Sequence, residues 1–88
     1  MEHLLFTLPG CLKCDALKKS LSVRGAAWQE FNLVHKDAKM KLRDYREAVK
    51  RDESGAVILP TLILSEGGTA LAVVNSAEEY EAWSRSRA

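Results

Sequence analysis

The alternation of apolar and polar positions divides the chain into seven elements. His3 to Leu8 is almost continuously apolar, the pattern of a strand buried on both faces, and Pro9-Gly10 ends it. Between about Cys11 and Arg24, Cys14, Leu17 and Leu21 recur at i, i+3 and i+7, while Lys13, Lys18, Lys19 and Arg24 are free to face water. This spacing predicts a helix, with Gly25 as its stop. Trp28 to Val34 places Phe31 and Leu33 at alternate positions and reads as a second strand. A crossover helix joins the two strands, so they are expected to pair in parallel as a right-handed βαβ unit.

Asp37 is placed to cap a second helix running to about Arg51, in which Ala38, Leu42, Tyr45 and Val49 step by four, three and four. Its charged residues read as a solvated face, with a basic docking patch as the alternative. Asp52-Glu53-Ser54-Gly55 reads as a loop. The apolar run Val57 to Leu64 carries Pro60 in its middle, and proline donates nothing to a strand ladder, so the third strand should begin at or after it. Ser65-Glu66-Gly67-Gly68 supplies a hairpin turn, and Thr69 to Val74 returns as the fourth strand. Asn75 or Ser76 caps a last helix from Ala77 to about Arg85, packed through Tyr80 and Trp83, with Glu78 and Glu79 near its positive end. The order βαβαββα predicts one α/β domain, residues 1–88, in which a four-stranded mixed sheet is flanked by three helices. Trp28 and Tyr45, like Tyr80 and Trp83, read as core or half-buried residues rather than as a base-stacking surface.

Charge adds little by itself. Thirteen basic and twelve acidic residues give a formal charge of +1, which offers no general attraction to nucleic acid or to an anionic membrane. Leu4-Leu5-Phe6 is too short for a signal-peptide core, and no segment approaches the roughly 20 apolar residues of a membrane span. A cytoplasmic monomer is expected. In a reducing compartment two cysteines read as catalytic or metal-binding rather than as a permanent staple.

Those two cysteines, Cys11 and Cys14, stand three residues apart just after the first strand. If a helix starts at or just before Cys11, both sulfurs lie on one face of its first turn, within bridging reach. The free N–H groups and the dipole at a helix N-terminus favour an anion there, so Cys11 should be the more acidic thiol and the attacking one. Cys14 is then the resolving thiol. Lys13 lies between them and is placed to help hold the thiolate.

This order, with Thr7-x-Pro9-x-Cys11-x-x-Cys14 after the first strand and Leu59-Pro60-Thr61 about 46 residues beyond Cys14, resembles the thioredoxin fold. The length and the immediate start at the first strand look most like a glutaredoxin or a small glutaredoxin-like thioredoxin. The resemblance covers essentially the whole chain. It implies a cis peptide bond before Pro60, a third strand antiparallel to the first, and a Leu59 backbone turned outward to pair with a substrate peptide or glutathione. It also implies a dithiol–disulfide oxidoreductase that needs no cofactor and acts on a disulfide-bearing protein or a glutathione adduct. Glutathione or a thioredoxin-type reductase would regenerate the dithiol. Pro9 shapes the turn; Leu12 and Lys13 contribute contact surface; Leu59, Pro60, Thr61, Asn75 and Ser76 are the further candidate substrate-binding residues.

Departures from the resembled pattern weigh against glutathione and leave the dithiol chemistry intact. Leu8 stands where glutathione-using members carry a lysine, and Val73-Val74-Asn75-Ser76 replaces their Gly-Gly motif. Gly67-Gly68 belongs to the hairpin. The amides of Asn75 and Ser76 remain a site for a carboxylate at a helix N-terminus, weakened by Glu78 and Glu79. The rival class is a metal-binding module, or half of a [2Fe-2S] cluster shared between two chains. Two thiolates leave a tetrahedral site two ligands short, with His35 nearer than His3 to the cysteine edge of the sheet.

Overall fold

The apolar run after Met1 becomes β1 (Glu2–Thr7), followed by α1 (Leu12–Val23), β2 (Gln29–Asn32), α2 (Lys36–Arg43), β3 (Thr61–Glu66), β4 (Thr69–Val74) and α3 (Ala77–Ser86) in a computed structural model that describes residues 1–86. The sheet order is β2-β1-β3-β4, with β1 and β2 parallel and the other two pairings antiparallel. This is the mixed four-stranded sheet with three helices that the residue pattern predicts.

Successive strand residues point to opposite faces, and the burial follows that rule. Leu5, Leu62 and Leu64 pack with Leu17 and Leu21 of α1 and with Val74 and Tyr80, the last from α3. Leu4, Phe6 and Ile63 face the other way, against Tyr45 and Val49. The central strands β1 and β3 are therefore buried on both faces, the reason their sequences read as unbroken apolar runs. The C-terminal end of α1 is tied to the middle of α3 by Arg24, whose Nε donates to Glu81 at 2.9 Å.

Several boundaries differ from those the pattern predicts, each for a local reason. β1 ends at Thr7, and Leu8 lies in the turn, exposed. Cys11 is the N-cap of α1 rather than a helical residue. β2 stops at Asn32, whose Oδ1 accepts the Val34 N–H at 3.1 Å and turns the chain, although the Leu33 N–H still reaches the Thr7 carbonyl at 2.8 Å. His35, not Asp37, caps α2, with no side-chain bond to the helix. α2 ends eight residues before the expected Arg51, and the chain continues as turns in which Tyr45 N–H bonds Leu42 O and Ala48 N–H bonds Tyr45 O. These turns keep enough helical sense to bury Tyr45 and Val49 as the spacing requires. At the hairpin, Gly67 and Gly68 have φ of 59° and 83°, the left-handed region that only glycine enters without strain. Among the described residues, no helix is long and apolar enough to cross a membrane.

Candidate functional site

The C-terminal end of β1 delivers the chain through Pro9 and Gly10 into α1. Gly10 has φ of 73°, a conformation that permits the tight entry. Cys11 then caps the helix in extended geometry, and its Sγ accepts the Cys14 N–H at 3.1 Å. The two residues are joined by a disulfide with a Cα–Cα distance of 5.2 Å. The pair is asymmetric: Cys11 is partly exposed, whereas Cys14 is 1% exposed. An incoming sulfur can reach only the first of them.

The antiparallel register brings the second motif to the same edge. Phe6 pairs with Thr61, so Leu59-Pro60 lies across from the Thr7-Leu8 end of β1. The Leu59–Pro60 bond is cis. Among the described residues, neither the Leu59 N–H nor its carbonyl has a hydrogen-bond partner. Pro60 and Thr61 are buried, and the Thr61 hydroxyl donates to the Ile58 carbonyl at 2.6 Å. Exposed apolar side chains, Leu8, Leu12 and Ile58, rim this edge.

Asn75 plays a part that its position in the sequence does not announce. Its side chain is buried, and Nδ2 lies 3.0 Å from the Pro60 carbonyl, 3.1 Å from Ile58 O and 3.3 Å from Thr61 Oγ1. It clamps the proline segment from β4's end. Its Oδ1 is buried with no partner among the described residues. Ser76 is the cap of α3, its Oγ accepting the Glu79 N–H at 3.1 Å, and Glu79 reaches back to take the Asn75 N–H at 2.8 Å. The Ser-x-x-Glu pattern at 76–79 is the readable signal for this reciprocal cap. One of the amides proposed from sequence as a carboxylate site is thus already held by the chain's own carboxylate. A cleft of about 270 Å³ separates this helix start from α1 and is lined by Lys13, Ala16, Asn75, Ser76, Ala77 and Glu78.

A polar cluster lies under α1, on strand residues whose partners are distant in sequence. Thr7 is buried and donates to Glu30 Oε2 at 2.8 Å, and Lys18 pairs with the same oxygen at 2.8 Å. The Lys18 bond, then the Thr7 bond, holds the Glu30 carboxyl below the usual range against an opposing effect of burial. His3 is remote from the cysteines, its ring edge-on to Tyr80 and Trp83, and its pKa is lowered chiefly by burial and by the nearby N-terminal charge. Among the described residues, no group of three or more His, Cys, Asp or Glu side chains converges. The chain matches no protein-family model and no curated protein.

Proposed function

We propose that the chain is a small dithiol–disulfide oxidoreductase of thioredoxin-like fold, with Cys11 as nucleophile and Cys14 as resolving thiol. The observation that carries this reading is the asymmetric cysteine pair at a helix start, bridged by a disulfide, at the same edge of the sheet as an unpaired Leu59 backbone. The sequence resemblance to glutaredoxins supports it.

In the reduced protein the Cys14 N–H and the α1 dipole stabilise a Cys11 thiolate. That thiolate attacks one sulfur of a substrate disulfide; the Cys11–substrate bond forms, the substrate S–S bond breaks, and the departing thiolate takes a proton from water. Cys14 loses its proton and attacks Cys11 Sγ, forming the Cys11–Cys14 disulfide and releasing the second substrate thiolate, which is protonated in turn. The substrate gains two electrons and the protein loses two. An extended substrate segment pairs with the Leu59 N–H and C=O, as a short addition to the sheet, while Leu8, Leu12 and Ile58 cover its apolar side chains. A thiol donor restores the dithiol. Because Glu79 occupies the Asn75 amide, a protein dithiol such as a thioredoxin-type reductase suits this site better than glutathione.

The test is to expose reduced Cys14→Ser and Cys11→Ser variants to oxidised glutathione and read intact mass. The Cys14→Ser variant should accumulate a single adduct on Cys11 and the Cys11→Ser variant almost none. Equal adduct in both, or adduct on Cys14 alone, would reverse the assignment.

A further inference from the structure

The near-neutral total charge conceals a strong segregation. Residues 36–51 hold seven of the thirteen basic residues and only three of the twelve acidic ones, a local excess of four positive charges. The rest of the chain carries nine acidic and six basic residues. Within this segment Lys39, Arg43, Arg46 and Lys50 step by four, three and four, one position after the buried Ala38, Tyr45 and Val49 and the partly buried Leu42. That offset gathers all four cations on one flank of α2 and the turns that extend it. All four are exposed, and Lys39, Arg43 and Arg46 have no ion-pair partner among the described residues. Like charges three and four residues apart oppose a helix, so this stripe is held at a cost in local stability.

Its position ties it to the redox edge. Its two middle members, Arg43 and Arg46, border a hollow of about 540 Å³ against Thr69 and Ala70, where Asp44 and Glu47 offset part of the charge. At its C-terminal end the Lys50 carbonyl accepts the Ile58 N–H at 3.1 Å, and Lys50 Nζ lies 3.7 Å from Glu79, whose carboxylate holds Asn75 beside Pro60. The stripe therefore runs out at the segment whose Leu59 backbone is unpaired.

We propose that the flank formed by Lys39, Arg43, Arg46 and Lys50 is a docking surface for an acidic face of the disulfide-bearing protein with which Cys11 exchanges. This rests on the oxidoreductase reading above. Charge complementarity selects an anionic partner. The unpaired strand-like backbone and apolar rim at the end of the stripe, together with the acidic remainder of the chain, favour a polypeptide over a nucleic acid.

The experiment compares reduction of three disulfides by the reduced protein: hydroxyethyl disulfide, and two short cystine-linked peptides that differ only in carrying a run of Glu or of Gln before the cysteine. At about 20 mM salt the Glu peptide should react roughly tenfold faster than the Gln peptide, and about 300 mM salt should erase the difference. The triple variant Lys39→Gln, Arg43→Gln, Arg46→Gln should lose the advantage while its rate with hydroxyethyl disulfide, which also reports an intact fold, stays unchanged. Equal rates for the two peptides at low salt, with hydroxyethyl disulfide still reduced, overturn the docking surface and leave the oxidoreductase reading standing. No reduction of any of the three overturns both. Tighter binding of duplex DNA than of the Glu peptide, lost in the triple variant, would assign the stripe to nucleic acid and overturn the proposal.

Discussion

Replacing Asn75 with alanine separates the role of its side chain from that of its backbone. Two amide hydrogens are shared among the Pro60 carbonyl, the Ile58 carbonyl and Thr61 Oγ1. Ile58 O keeps the Thr61 hydroxyl, whereas the Pro60 carbonyl loses its one partner among the described residues. Two hydrogen bonds at about 1 kcal/mol net each, plus a stranded carbonyl, give a loss of about 2–3 kcal/mol; removal of the unpaired Oδ1 returns about 1. The expected destabilisation is about 1–2 kcal/mol, a fall in melting temperature of roughly 5–15 °C for a domain of this size. Asn75→Asp should be worse at neutral pH, because it turns a carboxylate toward three oxygen acceptors. Burial there raises the folded-state pKa of the introduced acid, so its stability is fully present below the unfolded value and is lost as pH rises. Both variants would be followed by urea titration with the disulfide closed, at pH 4 and pH 7. An Asn75→Ala protein as stable as the parent, or an Asn75→Asp protein more stable than Asn75→Ala at pH 7, would refute the clamp.

Three further outcomes follow from other contacts. Tyr45→Phe removes the buried 3.1 Å bond to Ser65 Oγ and strands that hydroxyl, so it should cost about 1–2 kcal/mol in urea unfolding; adding Ser65→Ala should cost less than the sum of the two single changes. The lowered Glu30 pKa contributes stability that is present above its unfolded value of about 4.3 and is lost as pH falls through the lower folded value. Lys18→Met should move the Glu30 titration back toward the ordinary range in carboxyl-carbon NMR, and an unmoved titration would show that the ion pair does not set it. Glu79→Ala frees the Asn75 N–H and removes a carboxylate from the α3 start, so reduction of oxidised glutathione should gain about two- to fivefold over hydroxyethyl disulfide, the scale of a single charge at a helix terminus. Equal changes with both substrates would mean that Glu79 does not govern anion access.

What the sequence made legible was whatever depends on neighbours close along the chain. The double-sided burial of β1 and β3, the α1 stripe of Cys14, Leu17 and Leu21, the Gly67-Gly68 hairpin and a cap of α3 at Asn75 or Ser76, found at Ser76, all rest on separations of seven residues or fewer, and all are present. The parallel pairing of β1 with β2 and the start of β3 after Pro60 followed from connectivity and from the missing proline N–H. The α2 spacing named the buried and partly buried residues correctly and the helix length wrongly, because side-chain period persists through turns closed mostly by i→i+3 bonds, with one i→i+4 bond from the Val49 N–H to the Tyr45 carbonyl. Asp37 lost the cap to His35 because the helix begins two residues earlier than its polar side chain suggested. Least legible were contacts between distant segments: Asn75 on the proline loop, and Thr7 with Lys18 on Glu30. Their residue types fit many environments, and only the packed sheet brings them together.

The proposed activity stands on a reversible two-electron couple between Cys11 and Cys14. Its most direct measurement is to equilibrate the metal-free protein across graded ratios of reduced to oxidised glutathione, trap free thiols by alkylation, and resolve the products by mass. One transition is expected between a doubly alkylated dithiol and an unalkylated protein two hydrogens lighter, reached from either direction. Two thiols that stay open to alkylation at the most oxidising ratio, or glutathione adducts that never resolve into an internal disulfide, would contradict it.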